Sequence, residues 1–450
     1  MEVNASGAAL APATSRQAKA QTTAIAASPR RLTENRTIGA KSRQGALPGA
    51  ADAKDRLNRY FSKIEERAAN SAPGHDSALG PLKILDFSRV LAGPFATMML
   101  ADFGAEVTKV ERPGVGDETR SWGPPYDERG EATYFQSVNR NKDSVAIDMG
   151  SAEGLAELRR RAREADVLVE NFRPGLMASK GLDHETLRAE NPGLVYCSIT
   201  GFGGSGAGAE LPGYDLLVQA LAGLMSITGD PEGEPMKVGV ALVDVLSGLF
   251  ATVGILAALR HRDRTGAGQL VEVDLFSALL AALVNQGSAY TIAGVVPRRL
   301  GNRHPSISPY EVYATGAGEL VLAVGNDRQF AALCEVLGAP DLAADPRFAT
   351  NSARVENREP LGAELERLLA ARPAAEWSAA LLARRVPAGQ VNDLGAAFEF
   401  AAAIGLAPTV EIPREGGGTV SLTRNPIRLS ASPATYRSAP PLLPGTEREE

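Results

Sequence analysis

Cysteine and histidine are scarce in this chain. Its two cysteines, Cys197 and Cys334, cannot build a disulfide framework, and they fit a reducing compartment. Four histidines, with no Cys/His cluster, give no zinc-ligand pattern. A net charge of −6 gives no argument for a nucleic-acid or anionic-membrane partner. No uninterrupted apolar run approaches the roughly 18–20 residues of a membrane span; the longest candidate, around 249–259, reads as a core helix. Three nucleotide and hydrolase signatures are missing as well. The first βα turn lacks the G-x-G-x-x-G of a nicotinamide-binding sheet, and there is neither a Walker A loop nor a G-x-S-x-G elbow.

What remains is ordinary globular material: 450 residues, 44% hydrophobic and 22% charged, enough for two domains or more. Residues 1–80 differ in texture, being rich in Ala, Ser and Gly, with a short amphipathic pattern only at 55–68. We expect a disordered extension or an over-long start; the acid-poor, Arg-containing composition leaves an organelle transit peptide as the alternative. The globular pattern starts near Pro81. A strand at 82–87, a turn, a helix with Pro94 as its first residue, a stop at Gly104 and a strand at 106–111 make a βαβ unit. Strands at 144–149, 166–170, 194–199 and 269–274, and a helix at 152–164, continue it as an α/β parallel sheet. A long apolar helix is expected at 275–291. A smaller α+β region follows, with a strand at 319–324, helices near 327–337, 356–371 and 374–384, and a return strand at 386–391. Short strands near 409–412 and 419–422 precede a Pro-rich end. The domain plan is 1–80 extension, 81–297 large domain, 298–395 small domain and 396–450 return segment.

One carboxylate, Asp244, lies inside the apolar run from Val238 to Leu259. Burying it is costly, so it needs a partner or a task. Locally it reads as the N-cap of the following helix, bonding the amides of Leu246 or Ser247. The functional reading is a carboxylate nucleophile at a helix N-terminus, where backbone amides help hold an oxyanion.

Several stretches together resemble the class III CoA-transferases, the group of formyl-CoA:oxalate and carnitine CoA-transferases and α-methylacyl-CoA racemases. They are Asp86-Phe87-Ser88-Arg89-Val90-Leu91-Ala92-Gly93-Pro94; Asp102-Phe103-Gly104-Ala105-Glu106-Val107 with Lys109, Glu111 and Arg112; Asn139-Arg140-Asn141-Lys142; Glu170-Asn171-Phe172-Arg173-Pro174-Gly175; Thr200-Gly201-Phe202-Gly203; Gly213-Tyr214-Asp215; and Val243-Asp244 with the later Thr265-Gly266-Ala267-Gly268-Gln269. The resemblance implies a Rossmann-like large domain from both ends of the chain, an inserted small domain and an interlocked homodimer. It implies a CoA-transferase working through an aspartyl anhydride and an aspartyl-CoA thioester, with Asp244 as nucleophile and Asp215 beside it in the chemistry. The local alternative for Asp215 is the N-cap of a helix beginning at Leu216. The substrates implied are an acyl-CoA thioester, with succinyl-CoA as the expected donor, and a small carboxylic acid. No permanently bound cofactor, metal, nucleic acid or membrane is expected, and the location is cytoplasmic, or the mitochondrial matrix if residues 1–80 include a transit peptide. Val90, Leu91 and Ala92 are implied near the thiol arm and Arg112 at the nucleotide end. Asn171, Phe172 and Arg173 are implied to face the nucleotide and pantetheine, and Ile147, Asp148, Met149 and Gly150 the adenine side.

The chain departs from that pattern in three places. Ser179 stands where many members have arginine, leaving Lys180 as the substitute, without arginine's bidentate fork. The glycine run that closes over the nucleophile in oxalate-type enzymes is replaced by the cationic loop 301–310. This argues against formate or oxalate and resembles members acting on dicarboxylates such as succinate, glutarate, citramalate or itaconate, whose second carboxylate would meet Arg298, Arg299, Arg303 or His304; the bland alternative is a solvated loop. Gly445-Thr446-Glu447 lacks the histidine usual near the family's end. The rival activity is racemisation, which needs two opposed acid/base groups. Racemases place a histidine before the Gly-x-Asp aspartate, where this chain has Tyr214, a phenol with an ordinary pKa of about 10.

Overall fold

The computed structural model describes residues 77–445; the pattern at 55–68 lies outside them. Six parallel strands form the main sheet: β1 (Lys83–Asp86), β2 (Glu106–Glu111), β3 (Lys142–Ala146), β4 (Val167–Glu170), β5 (Val195–Thr200) and β6 (Leu270–Asp274). Their order is β3-β2-β1-β4-β5-β6, the doubly wound arrangement. Buried apolar runs such as Val167-Leu168-Val169 suit strands covered on both faces. Because the chain winds one way from β1 and the other way from β4, a crevice opens at the carboxyl ends of these two neighbours.

Helix α1 (Ala92–Asp102) follows β1 and is buried on nearly all sides. It starts two residues earlier than its proline suggested. Pro94 still falls within the first turn, where its missing N–H costs no intrahelical bond. Helix α2 (Ala152–Glu164) is capped by Ser151, which accepts from the Gly154 amide at 3.0 Å. Helix α3 (Asp215–Leu221) precedes α4 (Leu242–Thr265), the longest element. The stripe Val243, Ser247, Ala251, Ile255 and Leu259 recurs every fourth residue and joins the core with Val169, Val195 and Leu100. Gly248 is where α4 meets α1: an added Cβ would stand 2.6 Å from the carbonyl oxygen of Ala92.

Two expectations are corrected here. By length and composition α4 is apolar enough to cross a membrane, which the 249–259 run understated; its buried stripe lies against the sheet. The single helix expected at 275–291 is two, α5 (Leu275–Ala282) and α6 (Val284–Ala293), bent by 85°. Apolar content carried through the break, but Val284 takes φ +39°, which no α-helix accommodates.

The region 310–390 has its own antiparallel sheet, β7 (Tyr310–Ala314), β8 (Glu319–Ala323) and β9 (Ala388–Gln390). Helices α7 (Asp327–Val336), α8 (Arg358–Leu369) and α9 (Ala374–Ala383) close a separate core around Leu320, Phe330, Leu365 and Trp377. After the hairpin β10 (Thr409–Pro413) and β11 (Thr419–Thr423), the tail returns to the main sheet. Asp102 fastens it. Its carboxylate accepts from Arg140 at 2.6 Å, Asn141 at 2.8 Å and Asn425 at 3.1 Å, and its carbonyl accepts from the Thr435 amide at 2.7 Å.

Gly248→Ala tests the α1–α4 contact. The added methyl must push α1 away, so we expect a loss of about 1–3 kcal/mol in denaturant unfolding; an unchanged midpoint would show that the helices have room to separate.

Candidate active site

Residues Ser88 to Pro94 turn from β1 into α1 at the crevice. Buried charges grip this turn at both ends. Lys109 donates to the Ser88 carbonyl at 2.8 Å and pairs with Asp117 at 2.9 Å. Lys142 donates to the Pro94 carbonyl at 2.9 Å and pairs with Asp86 at 3.1 Å. Burial opposes the charge of every member, yet the lysines hold the Asp86 and Asp117 carboxyls below the usual carboxylate range. Burial pulls the Lys142 ammonium down to about 8, with Asp86 opposing the fall, so it stays cationic at neutral pH.

The middle of the turn is held by Asn171. Its Oδ1 accepts from the Arg89 amide and its Nδ2 donates to the Arg89 carbonyl, both at 2.8 Å, as a neighbouring strand would. The next residue, Val90, has φ +68°, a left-handed conformation that a β-branched side chain adopts at a cost. Val90 and Leu91 then pack with Phe95, Tyr134, Ala241 and Val245, which places the turn against the first turn of α4.

Asp244 is the third residue of α4, so the expected N-cap role is corrected: the cap position is Ala241, which makes no side-chain bond. The cap comes from elsewhere in the chain. Asp215 Oδ1 accepts from the amides of Val243 at 2.8 Å and Asp244 at 3.2 Å. Asp215 is itself the first residue of α3, after Tyr214, and so does not cap its own helix. Its other oxygen accepts from Gln219 Nε2 at 2.6 Å, and Gln219 Oε1 accepts from the Val238 amide at 2.9 Å. Among the described residues no donor is directed at the Asp244 carboxylate. Burial, reinforced by the Asp215 charge, pushes its pKa up to about 7. Tyr134 shares this environment. Burial, then the charges of Asp244, Asp215 and Asp117, raise its phenol, and its ring meets Trp122 edge-on at 5.4 Å.

A cleft of about 290 Å³ is lined by Arg89 and Asp117 and by no residue of α4. It gathers seven of the expected ligand residues: Arg112, Ile147, Asp148, Met149, Gly150, Phe172 and Lys180. Arg89 forms its inner wall, lying over the Phe172 ring at 4.9 Å and paired with Glu118 at 2.5 Å. Asn171 and Arg173 do not line the cleft: Asn171 is engaged by the turn, and Arg173 is exposed beside it.

The cationic loop also differs from expectation. Arg303 is paired with Glu311 at 3.0 Å and Glu359 at 2.5 Å, so its guanidinium is already neutralised. The His304 Nδ1 accepts from the Ser306 amide at 3.1 Å. Arg299 donates to the carbonyls of Asp230 and Gly233, leaving Arg298 exposed and without a hydrogen bond or ion pair among the described residues. Sequence reasoning missed Asp117, Tyr134 and Gln219 as site residues. Only Gln219 carried a local signal, four residues after Asp215 on one helix face.

A model of the family described as CoA-transferase family III matches residues 79–447. A succinate–glutarate CoA-transferase of Agrobacterium fabrum is 43% identical over 381 residues, 82% of this chain and 94% of that protein. An acetyl-CoA:oxalate CoA-transferase of Acetobacter aceti is 40% identical over 350 residues, 78% and 88% respectively. The crystal structure of a CaiB/BaiF family protein from Brucella suis superposes with a TM-score of 0.73 at 42% identity, covering 82% of this chain and 97% of that one.

Removing the Asn171 side chain should release the turn. We expect Asn171→Ala to lose roughly 1–3 kcal/mol in chemical denaturation without ligand; unchanged stability would return Asn171 to a ligand-contact role.

Proposed function

The chain belongs to CoA-transferase family III, and we propose that it moves CoA from an acyl-CoA thioester, with succinyl-CoA as donor, to a small dicarboxylic acid. The observation that carries this reading is Asp244: a partly buried carboxylate, free of directed donors among the described residues, beside a strained turn at the sheet's switch point. Such a group is a poor structural anchor and a good nucleophile.

In the proposed sequence the Asp244 carboxylate attacks the thioester carbonyl, the C–S bond breaks, and a mixed anhydride and CoA thiolate result. The thiolate attacks the Asp244 carbonyl, giving an aspartyl-CoA thioester and releasing the donor acid. The acceptor carboxylate attacks this thioester and expels the thiolate again. The thiolate then attacks the acceptor's acyl carbon, giving the new acyl-CoA and free Asp244. No net proton is consumed, so the demands on the protein are position and oxyanion stabilisation. CoA is a substrate here. Arg112 and Lys180 at the cleft suit its phosphates, and Ile147, Met149 and Phe172 suit its adenine.

The dicarboxylate preference draws on the succinate–glutarate relative. The loop argument against oxalate is weakened by the acetyl-CoA:oxalate relative, so oxalate belongs in any acceptor panel. Within the loop we move the second-carboxylate contact from Arg303, which has its acidic partners, to the unpaired Arg298. The racemase alternative is disfavoured because Tyr214 stands where racemases place a histidine, and it is exposed. A homodimer is proposed on family resemblance and on exposed apolar side chains along α4 and α6, among them Phe250, Val253 and Ile292. Two buried, free cysteines suit a reducing, cytoplasmic setting.

Incubation with succinyl-CoA and a panel of mono- and dicarboxylates, read by mass spectrometry, should show new acyl-CoA appearing as donor disappears. Asp244→Ala should abolish transfer without loss of fold; wild-type turnover in that variant sinks the proposal. Because Asp244 must be ionised to attack, kcat/KM should fall as pH drops below about 7. A profile flat down to pH 5 would show that Asp244 is not the titrating nucleophile.

A further inference from the structure

We infer that Gln219 is a positioning residue for the nucleophile, acting through Asp215 to fix the first turn of α4. The inference deepens the transferase reading and rests on it for its kinetic consequences. Gln219 is 1% exposed and sits one helical turn beyond Asp215 on α3. Its two amide atoms face opposite ways along one chain of bonds. The Val238 amide donates to Oε1 at 2.9 Å, Nε2 donates to Asp215 Oδ2 at 2.6 Å, and Asp215 Oδ1 takes the amides of Val243 and Asp244. Only a side chain with one acceptor and one donor completes this chain, which is a reason for glutamine rather than glutamate.

Two consequences follow. First, the relay ties the segment preceding α4 to the helix start. Val238 lies just after the 229–236 loop, which in turn carries the 299–303 loop through Arg299 bonds to Asp230 and Gly233 and a Gly301 amide bond to the Gly229 carbonyl. The cationic loop and the nucleophile therefore share a continuous hydrogen-bonded support. Second, the Gln219 donor holds the Asp215 carboxylate on the helix amides, and with it the negative charge beside Asp244. The groups facing Asp244 are Asp215 from α3 and Tyr134 from the segment 133–137, with Asp117 behind Tyr134.

The test is a polarity swap. Gln219→Glu replaces the donor with a second carboxylate against Asp215, and should move the acid limb of kcat/KM up by about one pH unit and cut kcat at neutral pH roughly tenfold. Adding Asp215→Asn rebuilds the relay in reverse. The new amide at position 215 would still accept from the helix amides and would donate to the new carboxylate at position 219, which still accepts from Val238. The double variant should regain kcat and show an acid limb below that of the wild type, because the charge now sits one link farther along the relay from Asp244. Asp215→Asn removes a charge beside Asp244 with or without the relay, so the pH limbs read the charge and the relay itself is read in the recovery of kcat by the double variant over Gln219→Glu. Gln219→Met keeps the volume and removes both bonds; it should fold and lose about tenfold in kcat with little change in KM for acyl-CoA. Wild-type kcat in that variant, or a double variant no better than Gln219→Glu, overturns the inference. An activity-free readout separates this from the function itself. In protein labelled with carboxyl-¹³C aspartate, the resonance missing from Asp244→Asn reports the Asp244 titration, which should move up in Gln219→Glu and down in the double variant even if no acceptor is ever found. An Asp244 titration identical in wild type and both variants overturns the relay whatever the turnover.

Discussion

Everything at the crevice depends on two lysines buried among carboxylates, one within β2 and one at the start of β3. Replacing a buried ion pair with apolar residues often leaves stability unchanged or improves it, so stability alone does not account for these. Their geometry suggests what they supply instead. Each ammonium spends one bond on a carboxylate and one on a carbonyl of the β1–α1 turn, Lys109 at Ser88 and Lys142 at Pro94. Deleting one partner would strand a charge in the core, so the turn is held by groups that cannot relax independently. Asn171 adds two bonds at Arg89, and the left-handed Val90 conformation persists because its neighbours are fixed on both sides.

Opposite this clamp the chain does the reverse with Asp244. Where Asp86 and Asp117 are surrounded by donors, Asp244 has none directed at it among the described residues, and its nearest charge is another carboxylate. The amides of Val243 and of Asp244 itself are taken by Asp215. The sheet edge thus holds carboxylates with opposite tasks, separated by environment: two are lowered and serve as fixed counter-ions, and one is raised into the neutral range. A carboxylate with a pKa near 7 is more basic than an ordinary one, which suits the nucleophile role proposed for Asp244.

The sheet was readable in the sequence because each strand is short, apolar and bounded by turn residues; Glu106–Glu111 matches residue for residue and most others lie within two residues. Asp244 was legible because a carboxylate in an apolar run is rare. Its capping partner was not, because Asp215 lies 29 residues earlier and its bond to the helix depends on the packing of α3 against α4. The bonds from Asn171 to Arg89 were not legible for a related reason: an asparagine that mimics a strand and one that faces a ligand look alike in sequence. The break at Leu283 escaped because hydrophobic periodicity reports burial and not the dihedral angles of a single residue.

In the transfer we propose, the loop 301–309 bears on how an acceptor is selected. A glycine-rich segment could close over the nucleophile and open again. This loop is held at Gly301 by the Gly229 carbonyl and beyond it by the small α+β region. Arg354, fully buried, donates to the Ser308 carbonyl at 2.7 Å, and Asn351 accepts from the Ser308 amide and donates to the Ser306 carbonyl. Arg358 donates to the His304 carbonyl at 2.8 Å, while Arg303 is fixed between two glutamates. Moving such a loop would break several charge-assisted bonds at once, so it acts as a preformed wall. Specificity then comes from what the wall presents when the acceptor arrives. In the transfer we propose, a preformed site would reject a wrong acceptor by leaving its own polar groups unpaired, and Arg298, unpaired among the described residues, would discriminate against an acid that lacks the second carboxylate.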